Sequence, residues 1–241
     1  MWNLLKTPRW AIATVVVFAI CVVCVALGQW QLGRHEERKV QNVVMTNRLA
    51  EDPLPLATLV DAAGADVDSL EYRPVTAVGE FRPDDEILVR SQTANQRPGF
   101  HVVTPLATEG GVVLVNRGWV PLAVETPPVA AAPPPSGTVT VTGLARLSQT
   151  RPSIGPVEPD GRLAIVARID LERLSGQFEG LTPVWIQQID EPEGPLPIRV
   201  PIPPVDDPGP HLPYAIQWFS FAAIGAIGYG LLVRRALRTG G

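Results

Sequence analysis

The stretch Trp10–Leu27, WAIATVVVFAICVVCVAL, decides the fold class of this chain of 241 residues. Thr14 is its only polar side chain, and no charged residue lies between Arg9 and Arg34. A hydrocarbon core of ~30 Å is crossed by about 20 apolar residues in helical conformation. The stretch therefore predicts a transmembrane helix over residues 10–30. A cleaved signal peptide is the alternative, but the apolar run is longer than such peptides use, and we expect an uncleaved anchor.

A second apolar stretch lies near the other end of the chain. Tyr214–Val233, YAIQWFSFAAIGAIGYGLLV, contains no charge and predicts a transmembrane helix over residues 212–233. Ala222, Ala226 and Gly230 recur at intervals of four, a spacing that permits close contact with the first helix or with a helix of another protein.

Basic residues flank both predicted spans on the side of the chain termini. Lys6 and Arg9 precede the first span, and Arg234, Arg235 and Arg238 follow the second. The positive-inside rule then places residues 1–9 and 234–241 in the cytoplasm and residues 31–207 outside. All 24 acidic residues lie in that outer segment, which has a net charge of −9. This acidity excludes a nucleic-acid partner, which requires a basic face. The short N-terminal flank favours a bacterial plasma membrane over an organelle.

The outer segment predicts a mainly antiparallel β domain with a short helix. The charged segment from His35 to Leu49 is expected to continue the first helix. Glu109–Gly111 indicates a hairpin, and Asp170 predicts the cap of a short helix over 171–174. Strand-like runs rich in Val, Ile and Thr occupy Val75–Phe81, Glu86–Ser91, His101–Ala107, Val112–Val120, Thr138–Arg146, Leu163–Ile169 and Val184–Ile189. The fold class is therefore membrane α+β: two transmembrane helices, both termini cytoplasmic, flanking an antiparallel sheet or small barrel.

Two proline-rich segments interrupt this domain. Residues 127–137, PPVAAAPPPSG, predict a stiff, exposed, polyproline-like loop. Residues 192–213 are also rich in proline and predict a tether from the sheet to the second span.

Motifs of enzymes are scarce in this sequence. It has no nucleophile elbow, no phosphate-binding loop and no dinucleotide fingerprint, and the outer segment contains no cysteine. We therefore expect no catalytic residues, no resident metal and no enzymatic activity. Cys21 and Cys24 form a C-x-x-C within the first span, where copper or redox chemistry is one interpretation and packing of two small apolar side chains is the other.

Three histidines are possible ligands of a cofactor. His211 lies at the outer mouth of the second span, where a neutral imidazole could ligate a metal or haem iron, or bond to water and headgroups. His101 begins a strand-like run and could cap or pack, and His35 lies in a charged helix. Trp30 and Trp218 fall where an outer aromatic belt would lie.

Five motifs in order along the chain resemble the surfeit locus protein (surfeit-one) family. They are LGQWQLGR at Leu27–Arg34, YRPV at Tyr72–Val75, PGFHVVTPL at Pro98–Leu106, LVNRGWVP at Leu114–Pro121 and HLPYAIQWF at His211–Phe219. The resemblance covers nearly the whole chain and includes the two-span arrangement. Pro210 and Gln217 stand where the family pattern often has Asn and Thr.

The resemblance implies a non-enzymatic factor in cytochrome c oxidase assembly. Its implied partners are the catalytic subunit of the oxidase, haem A synthase, the cytochrome bc–oxidase supercomplex and membrane lipid. Its implied cofactor is haem A, held transiently, with His211 as the ligand. A resident accessory subunit of the oxidase or of the supercomplex, without a haem role, is the alternative. An enzyme, for example a haem-modifying enzyme or an envelope hydrolase, is the second alternative.

Roles for individual side chains follow from the resemblance. Arg34 could pair with a haem propionate or extend to the headgroups, and Trp30 and Trp218 could stack on the porphyrin or anchor the helices. Residues 116–119 are expected at a strand end and tight turn, and there Asn116, Arg117 and Trp119 form a partner-docking surface or a structural corner. Tyr72 and Arg73 are further candidates for docking.

Overall fold

The computed structural model describes residues 8–124, 126–150, 159, 161–190, 194–205 and 207–239. The chain divides into a helical unit, Met1–Thr46 with Pro204–Gly241, and a β unit, Asn47–Pro203. Within the described residues, the α-helices are α1 (Pro8–Leu49), α2 (Leu56–Ala63), α3 (Leu171–Ser175) and α4 (His211–Thr239). The strands are β1 (Leu54–Pro55), β2 (Pro74–Phe81), β3 (Ile87–Ala94), β4 (Arg97–Thr108), β5 (Gly111–Pro121), β6 (Thr138–Arg146), β7 (Ile165–Val166) and β8 (Trp185–Gln188).

The two terminal helices match the apolar stretches of the sequence. Helix α1 is one continuous helix of 42 residues, which confirms the predicted helical continuation beyond the apolar part. Both α1 and α4 are long and apolar enough to cross a membrane, with mean hydropathy of 2.9 and 1.6 over their most apolar windows.

Helices α1 and α4 pack antiparallel through one side of α1. Thr14 Oγ1 lies 2.5 Å from the hydroxyl of Tyr229, and Cys21 Sγ donates to the carbonyl oxygen of Ala222 at 3.5 Å. A Cβ at Gly28 would come within 2.8 Å of the Phe219 ring. Thr14, Cys21 and Gly28 are seven residues apart, so they share one face of the helix.

The predicted stripe of small residues on α4 meets α1 only in part. Ala222 is buried and contacts Cys21, whereas Ala226 and Gly230 are exposed. The contact follows Gly225 instead, where an added Cβ would lie 3.5 Å from Cys21 Sγ. The reason is geometric: a spacing of four drifts around a helix that turns every 3.6 residues.

The β unit is a small barrel. Strands β2, β6, β8, β5 and β4 are neighbours in that order, and β2 also pairs with β4, which closes the ring. Strand β3 extends from β4, β7 from β3 and β1 from β2. The long pairings are antiparallel, as predicted. The parallel pairings β1–β2, β3–β7 and β5–β8 are short, with two residue pairs each.

Most of the predicted elements are confirmed. Six of the seven predicted strands appear at or within a few residues of the expected positions, as do the hairpin between β4 and β5 and the capped helix α3. Of the seventh run, Leu163–Ile169, only Ile165 and Val166 form a strand, β7, which pairs with β3. Helix α2 was not predicted, although its Leu56 and Leu59, with Val60 and Ala63, pack on the barrel core at helical spacing.

Both proline-rich segments contact the barrel. The prediction of an exposed loop over residues 127–137 is wrong for two of its residues, while most of the others are exposed. In residues 127–137, Val129 and Ala132 are almost completely buried beside Leu88 and Val102. In the second segment, Ile198 exchanges two backbone hydrogen bonds with Trp119. Proline removes backbone donors without preventing burial, and here the remaining donors and carbonyls find partners in the barrel.

Candidate functional site

His211 begins α4 and is held by α1. Its Nδ1 lies 2.9 Å from Oε1 of Gln31. Because an amide oxygen only accepts, Nδ1 donates, and the neutral ring then has its free lone pair on Nε2. Nε2 has no hydrogen-bond partner within the described part of the chain. Metal-ligating histidines use this arrangement, in which one ring nitrogen is fixed by an acceptor and the other is open.

Gly209 leaves room beside that open nitrogen. A Cβ at this position would come within 3.6 Å of Nε2 of His211, and the backbone has a positive φ of 75° that favours glycine. The residues present would offer a haem iron one ligand, the imidazole of His211.

The other predicted haem contacts are not gathered around this imidazole. Arg34 forms an exposed ion pair with Glu37 at 2.6 Å, Trp30 is 58% exposed, and Trp218 packs edge-on against Phe221. Across the described ranges, no hydrogen bond, ion pair or ring contact joins any of the three to His211. Gln31, which sequence reasoning assigned no role, is the side chain that the fold brings there.

Tyr72 and Arg73 lie at the partly exposed start of β2. The guanidinium of Arg146 lies 4.3 Å from the centroid of the Tyr72 ring and bonds to Glu71 at 3.0 Å. Tyr72 has a positive φ of 65°, and Arg73 faces Glu51 at 3.6 Å. Their role in docking stays a prediction.

Asn116, Arg117 and Trp119 lie inside β5, so the prediction of a strand end and tight turn is wrong. All three are almost completely buried and present little surface to a partner. The pairing with β4 shifts register here, Val103 facing Asn116 and Val102 facing Gly118. Arg117 is thus the extra residue of a β-bulge, a device that re-aims a side chain within a sheet.

Arg117 forms a buried ion pair with Glu86. Its Nη2 donates to Oε2 of Glu86 and its Nε to the hydroxyl of Thr104, both at 2.8 Å. Nη2 also donates to the carbonyl of Ala132, and Oε1 of Glu86 accepts from the backbone N–H of Val129 at 2.7 Å. The pair thereby fixes the first proline-rich segment on the barrel. An arginine in an apolar strand predicts a carboxylate partner, but the sequence does not say which one.

His101 on β4 faces a small polar cavity. Its Nδ1 accepts from Nδ2 of Asn116 at 3.2 Å, which confirms it as a packing residue. Burial lowers the pKa of His101 to about 4, so the ring is neutral at pH 7. The cavity, of about 120 Å³, is also lined by Arg146 and Gln187. Sequence reasoning missed it because these residues come from four different strands.

Cys21 and Cys24 are free thiols on α1. Cys24 is buried and Cys21 bonds to Ala222, contacts that suit the packing of small side chains. Among the residues that the structure describes, no group of three or more His, Cys, Asp or Glu side chains could hold a metal ion.

Comparison with known proteins identifies the family. The model of the SURF1 family matches residues 18–223. An uncharacterised SURF1-like protein of Mycobacterium tuberculosis is 32% identical over 243 residues, covering 97% of this chain and 87% of that protein. A SURF1-like protein of Monosiga brevicollis is 30% identical over 222 residues (86% and 82%), and human Surfeit locus protein 1 is 28% identical over 228 residues (86% and 73%). Since the match takes in most of α1, the whole barrel and the first part of α4, the chain belongs to the SURF1 family.

Proposed function

We propose that this protein is a membrane-anchored factor in cytochrome c oxidase biogenesis that aids delivery of haem A to the catalytic subunit. The single observation that carries the haem role is the His211–Gln31 pair, which leaves Nε2 of the imidazole open. The oxidase role comes from the family resemblance. Haem A synthase and the cytochrome bc–oxidase supercomplex are further proposed partners.

In the proposed topology, α1 and α4 cross a bacterial plasma membrane and the β unit lies outside. The basic flanks of the two helices support this orientation, with Arg234, Arg235 and Arg238 on the cytoplasmic side. His211, at the start of α4, then lies at the outer face.

His211 has the chemistry to hold a haem iron. Gln31 fixes the tautomer by accepting from Nδ1, so Nε2 is the nitrogen that would ligate. A bound haem A would supply the iron and an apolar ring at this site. Gln31 orients the imidazole, and Gly209 keeps the approach to Nε2 free of side-chain atoms.

The first experiment compares reduced-minus-oxidised spectra of membranes from a deletion strain and from strains complemented with the wild type or with His211→Ala. We expect the haem A signal to fall in the deletion strain and in His211→Ala, while b- and c-type signals hold. His35→Ala is the matched control, because His35 also lies on the outer part of a terminal helix. Unchanged haem A and oxidase activity in the deletion strain would contradict the biogenesis role.

A resident accessory subunit of the oxidase is the second candidate. The exposed face of α4 at Ala226 and Gly230 supports it, since small residues permit close contact with a helix of another protein. Spectra of the purified protein with added haem separate the candidates. Binding that is lost in His211→Ala supports delivery of haem, whereas stable co-purification with the oxidase without haem binding supports the subunit. Turnover of haem by the purified protein would overturn the proposal of a non-enzymatic role.

A further inference from the structure

A cleft of about 570 Å³ opens in the β unit between its two proline-rich segments. Residues 131–135 form one wall, residues 194–197 form the other, and Phe81, Val139 and Val141 contribute apolar surface. This volume falls within the range of roughly 300–1,000 Å³ that is typical of small-molecule sites.

A buried guanidinium lines this cleft with unused donors. The side chain of Arg117 is 4% exposed. Its Nε and Nη2 bond to Thr104, Glu86 and Ala132, but Nη1 has no hydrogen-bond partner among the described residues. Nη1 is not among the buried unpaired atoms, so its N–H groups reach the open space of the cleft and can donate to a ligand there.

A second guanidinium lines the same cleft. Arg199 donates to the carbonyl oxygens of Asp190 and Arg117 through Nε and Nη1, and its Nη2 has no partner in the described part of the chain. Burial lowers the pKa of Arg199, an effect that Asp190 opposes and Arg117 reinforces. Burial also lowers the pKa of Arg117, with Glu86 opposing it. An additional anion would therefore stabilise both cations.

The described lining of the cleft includes one carboxylate. Asp190 is the only carboxylate among the described lining residues, and its Oδ2 accepts from the backbone N–H of Thr142 at 2.6 Å. Glu86 is engaged with Val129, Thr104 and Arg117. The open donors of Arg117 and Arg199 thus face a space with largely apolar walls.

We propose that this cleft binds a small molecule that combines a carboxylate with an apolar body. The unpaired N–H groups of Arg117 and Arg199 receive the carboxylate, since guanidinium groups match its planar geometry. The prolines, Leu196 and Phe81 cover the apolar body. All described lining residues belong to the β unit, and the proposal does not rest on the proposed role in oxidase biogenesis.

Equilibrium dialysis of 2-naphthoate against the full chain in phosphatidylcholine nanodiscs tests the proposal. Empty nanodiscs measure partition into lipid, and 2-naphthylmethanol supplies the same ring without the charge. We expect saturable binding of naphthoate that is at least about tenfold tighter than that of the alcohol, the size of effect of one charge-assisted hydrogen bond. Equal binding of both compounds, or naphthoate uptake no greater than in empty nanodiscs, would overturn the proposal.

Two variants test the cleft itself. Arg199→Gln removes one guanidinium and should weaken naphthoate at least about tenfold. Ala131→Trp fills the mouth at an exposed position and should abolish binding without touching either arginine. Arg162→Gln is the control, because Arg162 pairs with Asp85 on the surface and does not line the cleft. Undiminished binding in both cleft variants would place the ligand elsewhere.

Two competition experiments define the ligand further. Acetate that competes as well as naphthoate would show that the cleft takes only a free anion and would overturn the apolar part of the proposal. Nanodiscs with one part in three phosphatidylglycerol test the source of the anion. Competition by this lipid would show that the cleft accepts a phosphodiester with acyl chains and would overturn the carboxylate as the ligand, whereas no competition supports a free carboxylate.

Discussion

The helical unit and the β unit expose opposite kinds of side chain. On α1 and α4, large apolar side chains such as Phe18 and Ile224 are 69% and 68% exposed, and the polar contacts lie between the helices. In the β unit, most of the apolar side chains are buried, and a fully buried ion pair joins Glu86 to Arg117. The first pattern suits lipid and the second suits water. Polar contacts should therefore contribute differently to the stability of the two units.

The largest effect is expected from breaking the buried ion pair. Arg117→Met leaves the carboxylate of Glu86 buried without its cation, which costs about 3–5 kcal/mol of unfolding free energy in comparable cases. Hydrogen–deuterium exchange read by mass spectrometry resolves the two units. Amides of β4 and β5 should lose protection, and amides of α1 and α4 should not.

The double variant Glu86→Leu/Arg117→Met is the control for this prediction. It removes both charges, so it should recover a large part of the lost protection. Equal losses in the single and double variants would mean that the ion pair itself is not the source of the instability.

The next largest effect is a pH dependence confined to the β unit. The pKa of His101 is about 4 in the folded chain and close to 6.5 in the unfolded chain. The unfolded chain therefore binds the proton first as the pH falls. The contribution of this histidine to the free energy of unfolding is fully present above pH 6.5. It is lost as the pH decreases from 6.5 to 4, by roughly 3 kcal/mol.

His101→Gln should flatten that pH dependence. Glutamine keeps a polar group beside Asn116 and carries no titrating charge. Exchange of the β4 amides, measured from pH 7 to pH 4.5, checks the prediction. The same loss of protection with decreasing pH in the variant and the wild type would assign the effect to carboxylates instead.

The comparison also shows what the sequence could predict. Continuous apolar runs gave both terminal helices, and alternation with turn residues gave most of the barrel strands, because these signals are local. The closure of the barrel through β2 and β4 was not predictable, because nothing in the composition of these strands indicates that Gly79 pairs with Thr108.

The candidate sites divide in the same way. His211 was predicted from its position at the mouth of a span, whereas Gln31, 180 residues away, became its partner only through the packing of α1 against α4. The burial of Val129 and Ala132 was not predicted, because a proline-rich composition indicates an exposed loop. Its cause is the hydrogen bonds that Glu86 and Arg117 make to that segment, and these depend on tertiary structure.

In the helical unit, steric fit should matter more than charge. Gly28→Ala places a methyl group 2.8 Å from the Phe219 ring, which must shift, and we expect a cost of about 1–2 kcal/mol. Gly33→Ala is the matched control, because a Cβ there meets nothing within 4 Å and alanine favours helix by up to about 1 kcal/mol. Unfolding in SDS, followed by far-UV circular dichroism, measures both variants. A stabilised Gly28→Ala would contradict the packing of α1 on α4.

The smallest effect should come from the polar contact between the two helices. Tyr229→Phe removes the hydroxyl that lies 2.5 Å from Thr14 Oγ1, but Thr14 still donates to the carbonyl of Trp10 at 2.8 Å. No buried group is left unpaired, and hydrogen bonds between membrane helices contribute about 0.6 kcal/mol on average. The same SDS titration should therefore show a loss below about 1 kcal/mol. A loss as large as that of Arg117→Met would mean that the two units depend equally on their buried polar contacts, and the contrast between them would fail.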